Sequence, residues 1–339
     1  MAAPDIVFLA GPTAVGKSAV ALRLAEELGG EIVSVDSMQV YRGLNLGTAK
    51  PTAAEQARVR HHLIDVVELG EEFDAAGFVR RARAAEAEIR ARGKVPVFCG
   101  GTGLYFRAYL EGLGESPPTD AALRAVLEAT PLAELLGELE RRDPETFGRI
   151  DRKNPRRVVR AVEVIRLTGR TFSEQRAEWT KKAASGGGTG AGASGGAGAG
   201  ATGGAEAGQA VFGLTRPAAV LRRRVDERVG EMFARGLVAE TQALLAVGLE
   251  QNRTAMQAIG YRQVVEHLRG ERGLAETITL VKARTWAFAR RQSNWFRNQM
   301  RMEWLEIGEA ETADEVCARI VARAAVEMEK PRIDTEGHG

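Results

Sequence analysis

Residues 6–18, Ile-Val-Phe-Leu-Ala-Gly-Pro-Thr-Ala-Val-Gly-Lys-Ser, constrain the fold of this chain more than any other stretch. The continuous apolar run Ile6–Ala10 reads as a strand buried on both faces, as in a parallel sheet. It leads directly into Gly11, Pro12, Thr13, Ala14, Val15, Gly16, Lys17 and Ser18, which match G-x-x-x-x-G-K-[ST]. From Ser18 to Leu28 apolar residues recur at helical spacing, and Gly29-Gly30 supplies the stop. In a strand–loop–helix setting these glycines let backbone N–H groups converge on phosphate oxygens at a helix N-terminus, with Lys17 as a point charge and Ser18 as a Mg²⁺ ligand. That setting separates the phosphate reading from a glycine-rich turn carrying a solvated lysine.

A second strand reads from Glu31 to Asp36, and a third from Val95 to Cys99 runs into Gly100-Gly101-Thr102-Gly103. Alternation of strand and helix predicts an α/β fold, a P-loop NTPase-like parallel sheet flanked by helices. Ligands of such sheets gather beyond the carboxyl ends of the strands, so residues 11–18, Asp36 and Thr102 are expected to be neighbours. From about Asp120 to Thr168 the pattern becomes helical without strands, which predicts an inserted all-helical subdomain. The expected organisation is a discontinuous core of residues 1–115 and 209–330, an inserted subdomain at 116–184, and a flexible loop at 185–208. That loop is almost entirely Gly, Ala, Ser and Thr, too poor in apolar surface to offset the entropy of ordering. A returning strand reads at Val211–Leu214, a last short strand near Trp304 and a helix from Asp314.

With 47 Lys plus Arg against 45 Asp plus Glu, the net charge is +2, so any polyanion site must come from local clustering. One cluster is Lys282, Arg284, Arg290, Arg291, Arg297 and Arg301, interleaved with Trp286, Phe288, Trp295 and Phe296 in a long helical stretch; Arg290, Arg297 and Arg301 are expected to share a face. Another is Arg156, Arg157 and Arg160. Solvated helix faces are the ordinary explanation for both. Asp36 at a strand end has three readings: a Mg²⁺ ligand, a general base, or a turn former. Adjacent His61 and His62 point in different directions and read as structural, as do Tyr41, Tyr105 and Trp179. The two cysteines, Cys99 and Cys317, are too few for a disulfide scaffold or an all-cysteine zinc site, and a reducing cytoplasm fits them. No apolar run reaches membrane-spanning length, and no export signal is expected.

Gly-Pro-Thr-Ala-x-Gly-Lys-Ser at 11–18, Ser-Val-Asp-Ser-Met-Gln-Val-Tyr at 34–41, Gly-Thr-Ala-Lys-Pro at 47–51 and His-His-Leu-Ile-Asp at 61–65 together resemble the tRNA dimethylallyltransferase family. Gly-Gly-Thr-Gly-Leu-Tyr at 100–105, Asn-Pro-Arg-Arg at 154–157, Gln-Ala-Ile-Gly-Tyr-Arg-Gln at 257–263 and Arg-Arg-Gln-Ser-Asn-Trp-Phe-Arg at 290–297 follow in that family's order. The resemblance implies transfer of a dimethylallyl group from dimethylallyl diphosphate to the exocyclic amine of adenosine 37, beside the tRNA anticodon. It implies that Thr13 to Ser18 hold the diphosphate and Mg²⁺, that Asp36 is the base, and that Thr102 sits by the bridging oxygen of the leaving group. Asp36, Ser37, Met38 and Gln39, together with Arg156, Arg157, Val158, Val159 and Arg160, would line the tRNA surface, with Arg124 as a further contact. Such proteins are commonly described as ATP-binding because of the loop, although their donor is an alkyl diphosphate; the chain is expected to act as a monomer. The tract at 185–208 departs from the family pattern. A small-molecule P-loop kinase would account for 11–18 and Asp36 but not for the arginine clusters, and a non-catalytic RNA-binding module would account for the arginines but not for the phosphate loop.

Overall fold

A computed structural model describes residues 4–112, 117, 120–174 and 208–329. The tract at 185–208, apart from Gly208, and Trp179 lie outside the described residues. The chain divides into two compact units, one of residues 1–108 with 204–339 and one of residues 109–203.

The first unit is organised by a parallel sheet of six strands: β1 (Ile6–Ala10), β2 (Glu31–Val35), β3 (His61–His62), β4 (Pro96–Gly100), β5 (Gln209–Thr215) and β6 (Glu303–Glu306), in the order β3-β2-β4-β1-β5-β6. Every residue of β1, β2 and β4 is buried, as central strands in a sheet covered on both faces must be. β1 lies between β4 and β5, with Val7 opposite Val97 and Leu9 opposite Phe212. Its ladder to β4 ends at the pair Ala10–Gly100. Beyond that point the chain opens into the phosphate loop on one side and the 101–103 turn on the other.

The strand expected at Glu31–Asp36 stops at Val35, which leaves Asp36 just past the sheet, and the one expected at Val95–Cys99 is displaced by a residue to Pro96–Gly100. β3 has only two residues, too few for any periodicity to show, so it was not anticipated. His61 and His62 form it. His62 Nε2 bonds Glu31 Oε2 at 2.7 Å, and Arg92 Nη2 donates to the same oxygen at 2.7 Å. Burial alone would push the Glu31 carboxyl up, but the hydrogen bonds from Arg92, His62 and Lys94 hold it down at about 2. This knot is at the first residue of β2, the end of the sheet opposite the phosphate loop. Among the described residues there is no cluster of His, Cys, Asp or Glu suited to a metal.

The long helix Leu274–Gln299 buries Val281, Ala289, Gln292 and Phe296 and leaves Arg284, Arg290, Arg291 and Arg297 exposed. It ends at Gln299, and Met300 is extended (φ −135°, ψ 137°), so Arg301 does not share a helical face with Arg290 and Arg297 as expected. Helical periodicity cannot be carried past a chain reversal towards β6. Arg297 lies over the Trp304 ring at 5.5 Å. Of the interleaved aromatics, Phe296 is core and Phe288 is exposed. Tyr105 stacks on Phe78 at 4.5 Å and is buried, as is Tyr41, in agreement with their reading as packing residues. No helix among the described residues is long and apolar enough to cross a membrane.

The second unit is helical throughout its described residues, with helices Ala121–Ala129, Leu132–Arg142, Pro144–Arg149 and Pro155–Thr168. Its core is Leu127, Leu135, Leu139, Val158, Val159, Ala161, Val162 and Ile165. Helix 155–168 begins with Asn154 accepting from Arg157 N and Pro155 in the first turn, and it stops at Gly169 in the left-handed region (φ 70°).

Candidate active site

In the glycine-rich loop 11–18 the carbonyls of Pro12, Ala14 and Val15 are already engaged. Helix Lys17–Glu27 starts from Gly16 at φ 107°, a conformation glycine adopts without Cβ strain, and no side chain caps it. Thr52 caps helix 53–58 and Asp74 caps helix 75–91, whereas the amides at 17–19 have no capping side chain and are available to an anion. Lys17 Nζ donates to Pro12 O at 3.0 Å, Arg224 Nε to Ala14 O at 2.9 Å, and Arg216 Nε to Val15 O at 2.9 Å. A cavity of about 350 Å³ opens beside the loop, lined by Ala14, Gly16, Lys17, Ser18, Ala49, Arg224 and Arg228, with Glu227 and Glu231 among the remaining walls. Ser18 is exposed and its hydroxyl has no protein partner among the described residues.

Burial brings the Lys17 ammonium down to about 8; Cys99 and Asp36 oppose this, while Arg228 adds to it. An arriving diphosphate restores the charged form. Diphosphate binding is therefore expected to take up a proton above about pH 8, and affinity should fall as pH rises through 8 towards the ordinary lysine value of 10.5. Calorimetric titration in buffers of different ionisation enthalpy checks this, and binding without proton uptake at pH 8.5 would contradict it.

Asp36 is near enough to Lys17 to favour its charged form. Its Oδ1 accepts from Met38 N at 2.8 Å and from Gln39 N at 3.2 Å, which makes it a turn former. The turn leaves its other oxygen, Oδ2, without a protein hydrogen bond among the described residues, so the turn and the chemical readings are compatible. Thr102 Oγ1 accepts from Ser37 N at 3.1 Å, and Thr102 N donates to Val35 O at 3.2 Å. The loops after β2 and β4 are thereby joined. Asp36 also contributes to the ionisation of both Lys17 and Arg228, so the three charges share one electrostatic environment.

Gln39 is occupied internally. Its Nε2 donates to Thr48 O at 3.1 Å and Ala49 O at 3.3 Å, and its Oε1 accepts from Ser34 Oγ at 2.8 Å. It thus holds the 47–51 segment, whose Ala49 is in the left-handed region (φ 48°) and lines the cavity. The far side of that segment is fixed by Glu240, which accepts from Leu46 N at 2.9 Å and from Tyr261 Oη at 2.5 Å. Ser37 and Met38 are half-buried beside it.

Three arginines and a glutamine at this site were not anticipated from the sequence. Arg216 also donates through Nη1 to Gly308 O at 2.6 Å. Arg228 has a buried Nε without a partner, and burial lowers its ionisation against the pull of Asp36 and Glu231. Gln292 accepts from Thr13 N at 2.9 Å. A signal was present: Leu221, Arg224, Val225, Arg228 and Val229 follow the i, i+3, i+4, i+7, i+8 spacing of a buried stripe, so two arginines occupy core-facing positions.

In the helical unit, Val158 and Val159 are buried in its core, so their side chains cannot line an RNA surface as expected. Arg124 Nη2 and Arg160 Nη1 donate to Glu163 Oε2 at 2.7 and 2.6 Å, and Glu163 is fully buried. Arg160 Nη2 also donates to Pro117 O at 2.6 Å. Arg156 and Arg157 are exposed. These two pairs should therefore separate on substitution. Arg124→Ala withdraws a partner from a buried carboxylate and is expected to cost about 1–3 kcal/mol in urea unfolding. Arg157→Gln should stay within about 0.5 kcal/mol. If 156 and 157 meet phosphates, neutralising both makes the slope of log affinity for tRNA against log salt shallower by about 1.4–1.8. An unchanged slope assigns them to a solvated face.

A parallel sheet with a glycine-rich loop and a lysine after its first strand, and a cavity beside that loop, defines a P-loop-like α/β fold. The family model described as IPP transferase matches residues 39–299. The tRNA dimethylallyltransferase 1 of Trichlorobacter lovleyi is 43% identical over 306 residues, covering 89% of this chain and 93% of that protein. The tRNA dimethylallyltransferase 2 of Syntrophus aciditrophicus is 41% identical, covering 91% of this chain and 94% of that protein. Among solved structures, the full-length tRNA isopentenylpyrophosphate transferase of Bacillus halodurans aligns with a TM-score of 0.64 at 32% identity, covering 96% of this chain and 100% of that one. The chain belongs to the IPP transferase family.

Proposed function

We propose that this protein transfers the dimethylallyl group of dimethylallyl diphosphate to N6 of adenosine 37 in tRNA and releases diphosphate. The observation that carries this reading is one end of one sheet holding both an uncapped phosphate cradle and, past the neighbouring strands, a carboxylate with an unengaged oxygen. The adenine amine is a poor nucleophile because its lone pair is delocalised into the ring, so proton acceptance by Asp36 Oδ2 during attack raises its reactivity. As the new C–N bond forms, the C–O bond to the diphosphate breaks, and negative charge gathers on the leaving group. The loop amides, Lys17, Arg224 and Arg228 are the groups available to stabilise it. Thr102 Oγ1 already accepts from Ser37 N, so its own hydroxyl hydrogen is available to the bridging oxygen.

Mg²⁺ suits Ser18 Oγ, an exposed oxygen without a protein partner among the described residues; when bound, it would neutralise diphosphate charge. ATP has no part in this reaction. An anticodon-loop adenine is extruded into a pocket at modest unstacking cost, and the arginines of the helical unit supply phosphate contacts. The same reading has a monomeric chain working in the cytoplasm. The position of the modified base is tested with unmodified anticodon stem-loops and carbon-labelled dimethylallyl diphosphate. Label should enter the stem-loop with adenosine at 37 and not one with guanosine there; equal labelling of both would overturn the assignment of the base.

A further inference from the structure

Gln292 is 8% exposed and sits on a helical stripe otherwise occupied by Ala289 and Phe296. Both ends of its amide are used. Its Oε1 accepts from Thr13 N at 2.9 Å, and its Nε2 donates to Gly101 O at 2.9 Å. Thr13 belongs to the phosphate loop after β1, and Gly101 precedes Thr102 after β4. These are the two segments that part beyond the last ladder pair, Ala10–Gly100. A carboxamide carries an acceptor and a donor as a peptide unit does, so Gln292 continues the β1–β4 ladder by one rung where the backbones no longer reach each other. Gly101 fits this arrangement, because a Cβ there would collide with the Gln292 amide. From Gly101 the connection runs through Thr102 Oγ1 to Ser37 N, and so to Asp36.

We propose that Gln292 is a positioning residue that sets the separation between the leaving-group cradle and the groups acting on the acceptor amine. The inference rests on the transferase reading given above. A buried amide with both ends satisfied fixes that separation, whereas either loop alone retains its own local hydrogen bonds. The diphosphate-holding amides lie on the Thr13 side of the bridge, and Asp36 and Thr102 on the Gly101 side. Loosening the bridge therefore misaligns the reacting atoms without removing a binding contact, and a displacement near 1 Å costs about 10²-fold in rate.

The test uses the full chain with Gln292→Met, which keeps the volume but neither hydrogen bond, and Gln292→Glu, which keeps an acceptor for Thr13 N but offers Gly101 O no donor. Ser293→Ala on the same helix serves as a control, since among the described residues its hydroxyl bonds only Ala289 O, at 3.1 Å. Inorganic diphosphate affinity, tRNA affinity and single-turnover transfer at saturating substrates are measured for each. For Gln292→Met the transfer rate is expected to fall about 10²-fold while both affinities stay within about twofold of the parent. Equal losses in rate and diphosphate affinity would overturn the proposal, reducing Gln292 to a support of the phosphate loop; so would a parental rate. Failure of the transferase reading shows separately, as absence of transfer by the parent and Ser293→Ala. In that event hydrogen exchange at the Thr13 amide decides: faster exchange in Gln292→Met upholds the bridge, and unchanged exchange overturns it. Should Gln292→Met fail to fold, the same measurements on Gln292→Glu apply.

Discussion

Asp36→Asn is expected to slow the single-turnover transfer step by about 10²-fold or more, the ordinary contribution of a positioned base, with little change in diphosphate affinity. The structure makes Asn an unusually clean replacement. Only Oδ1 of Asp36 serves the turn, by accepting from Met38 N and Gln39 N, and an Asn carbonyl accepts the same two bonds. Its amide nitrogen then takes the place of Oδ2 and cannot accept a proton. If the carboxylate served only the turn, Asp36→Asn would be silent and Asp36→Ala damaging. If it held Mg²⁺ instead of acting as a base, added Mg²⁺ would restore the rate. Single-turnover rates across a Mg²⁺ titration distinguish these outcomes, and full rescue would remove Asp36 from proton transfer.

Lys17→Ala is expected to reduce transfer by about 10²–10³-fold, the scale for loss of one preorganised group facing developing negative charge, and to weaken diphosphate binding. Binding of tRNA should persist. The variant also carries a stability signature. Because burial brings Lys17 down to about 8 from its ordinary 10.5, the folded chain binds fewer protons than the unfolded chain between those values, and its stability rises with pH across that window. Below pH 8 the ligand-free protein retains the full cost of a desolvated ammonium. Lys17→Ala should therefore melt no lower than the parent at neutral pH and should lack the parental gain from pH 8 to 10.5. Parental transfer by Lys17→Ala with saturating donor would contradict the phosphate-loop role.

Both predictions concern residues that were legible in the sequence, and the reason is local. β1, the loop and helix 17–27 are contiguous, so their apolar run, glycine spacing and helical periodicity all fall within one short window. Asp36 and Thr102 were placed beside them by the rule for parallel sheets, and the Ser37–Thr102 bond realises that placement. What was not legible depends on contacts between distant segments. Thr13 and Gln292 are 279 positions apart, and nothing near either residue names the other. Arg124 and Arg160 were assigned to the tRNA surface by motif, and their shared hold on the buried Glu163 emerges only once the helices pack. Motif transfer assigned the whole 156–160 run to the RNA surface, and the packing of Val158 and Val159 into the core of the helical unit corrects it. Polar residues at core-facing spacing, such as Arg228 and Gln292, were the readable trace of the site's inner wall.

The central claim is that the phosphate loop presents an alkyl diphosphate whose alkyl group goes to RNA. It is tested most directly by incubating the full chain with unmodified tRNA and either carbon-labelled dimethylallyl diphosphate or γ-phosphate-labelled ATP. Nucleosides released from the tRNA are then resolved. Label from dimethylallyl diphosphate appearing in N6-dimethylallyladenosine, with equimolar diphosphate released and no label passing from ATP to RNA, is the predicted result. Phosphate transfer from ATP to any acceptor, with the tRNA unlabelled by dimethylallyl diphosphate, would contradict it.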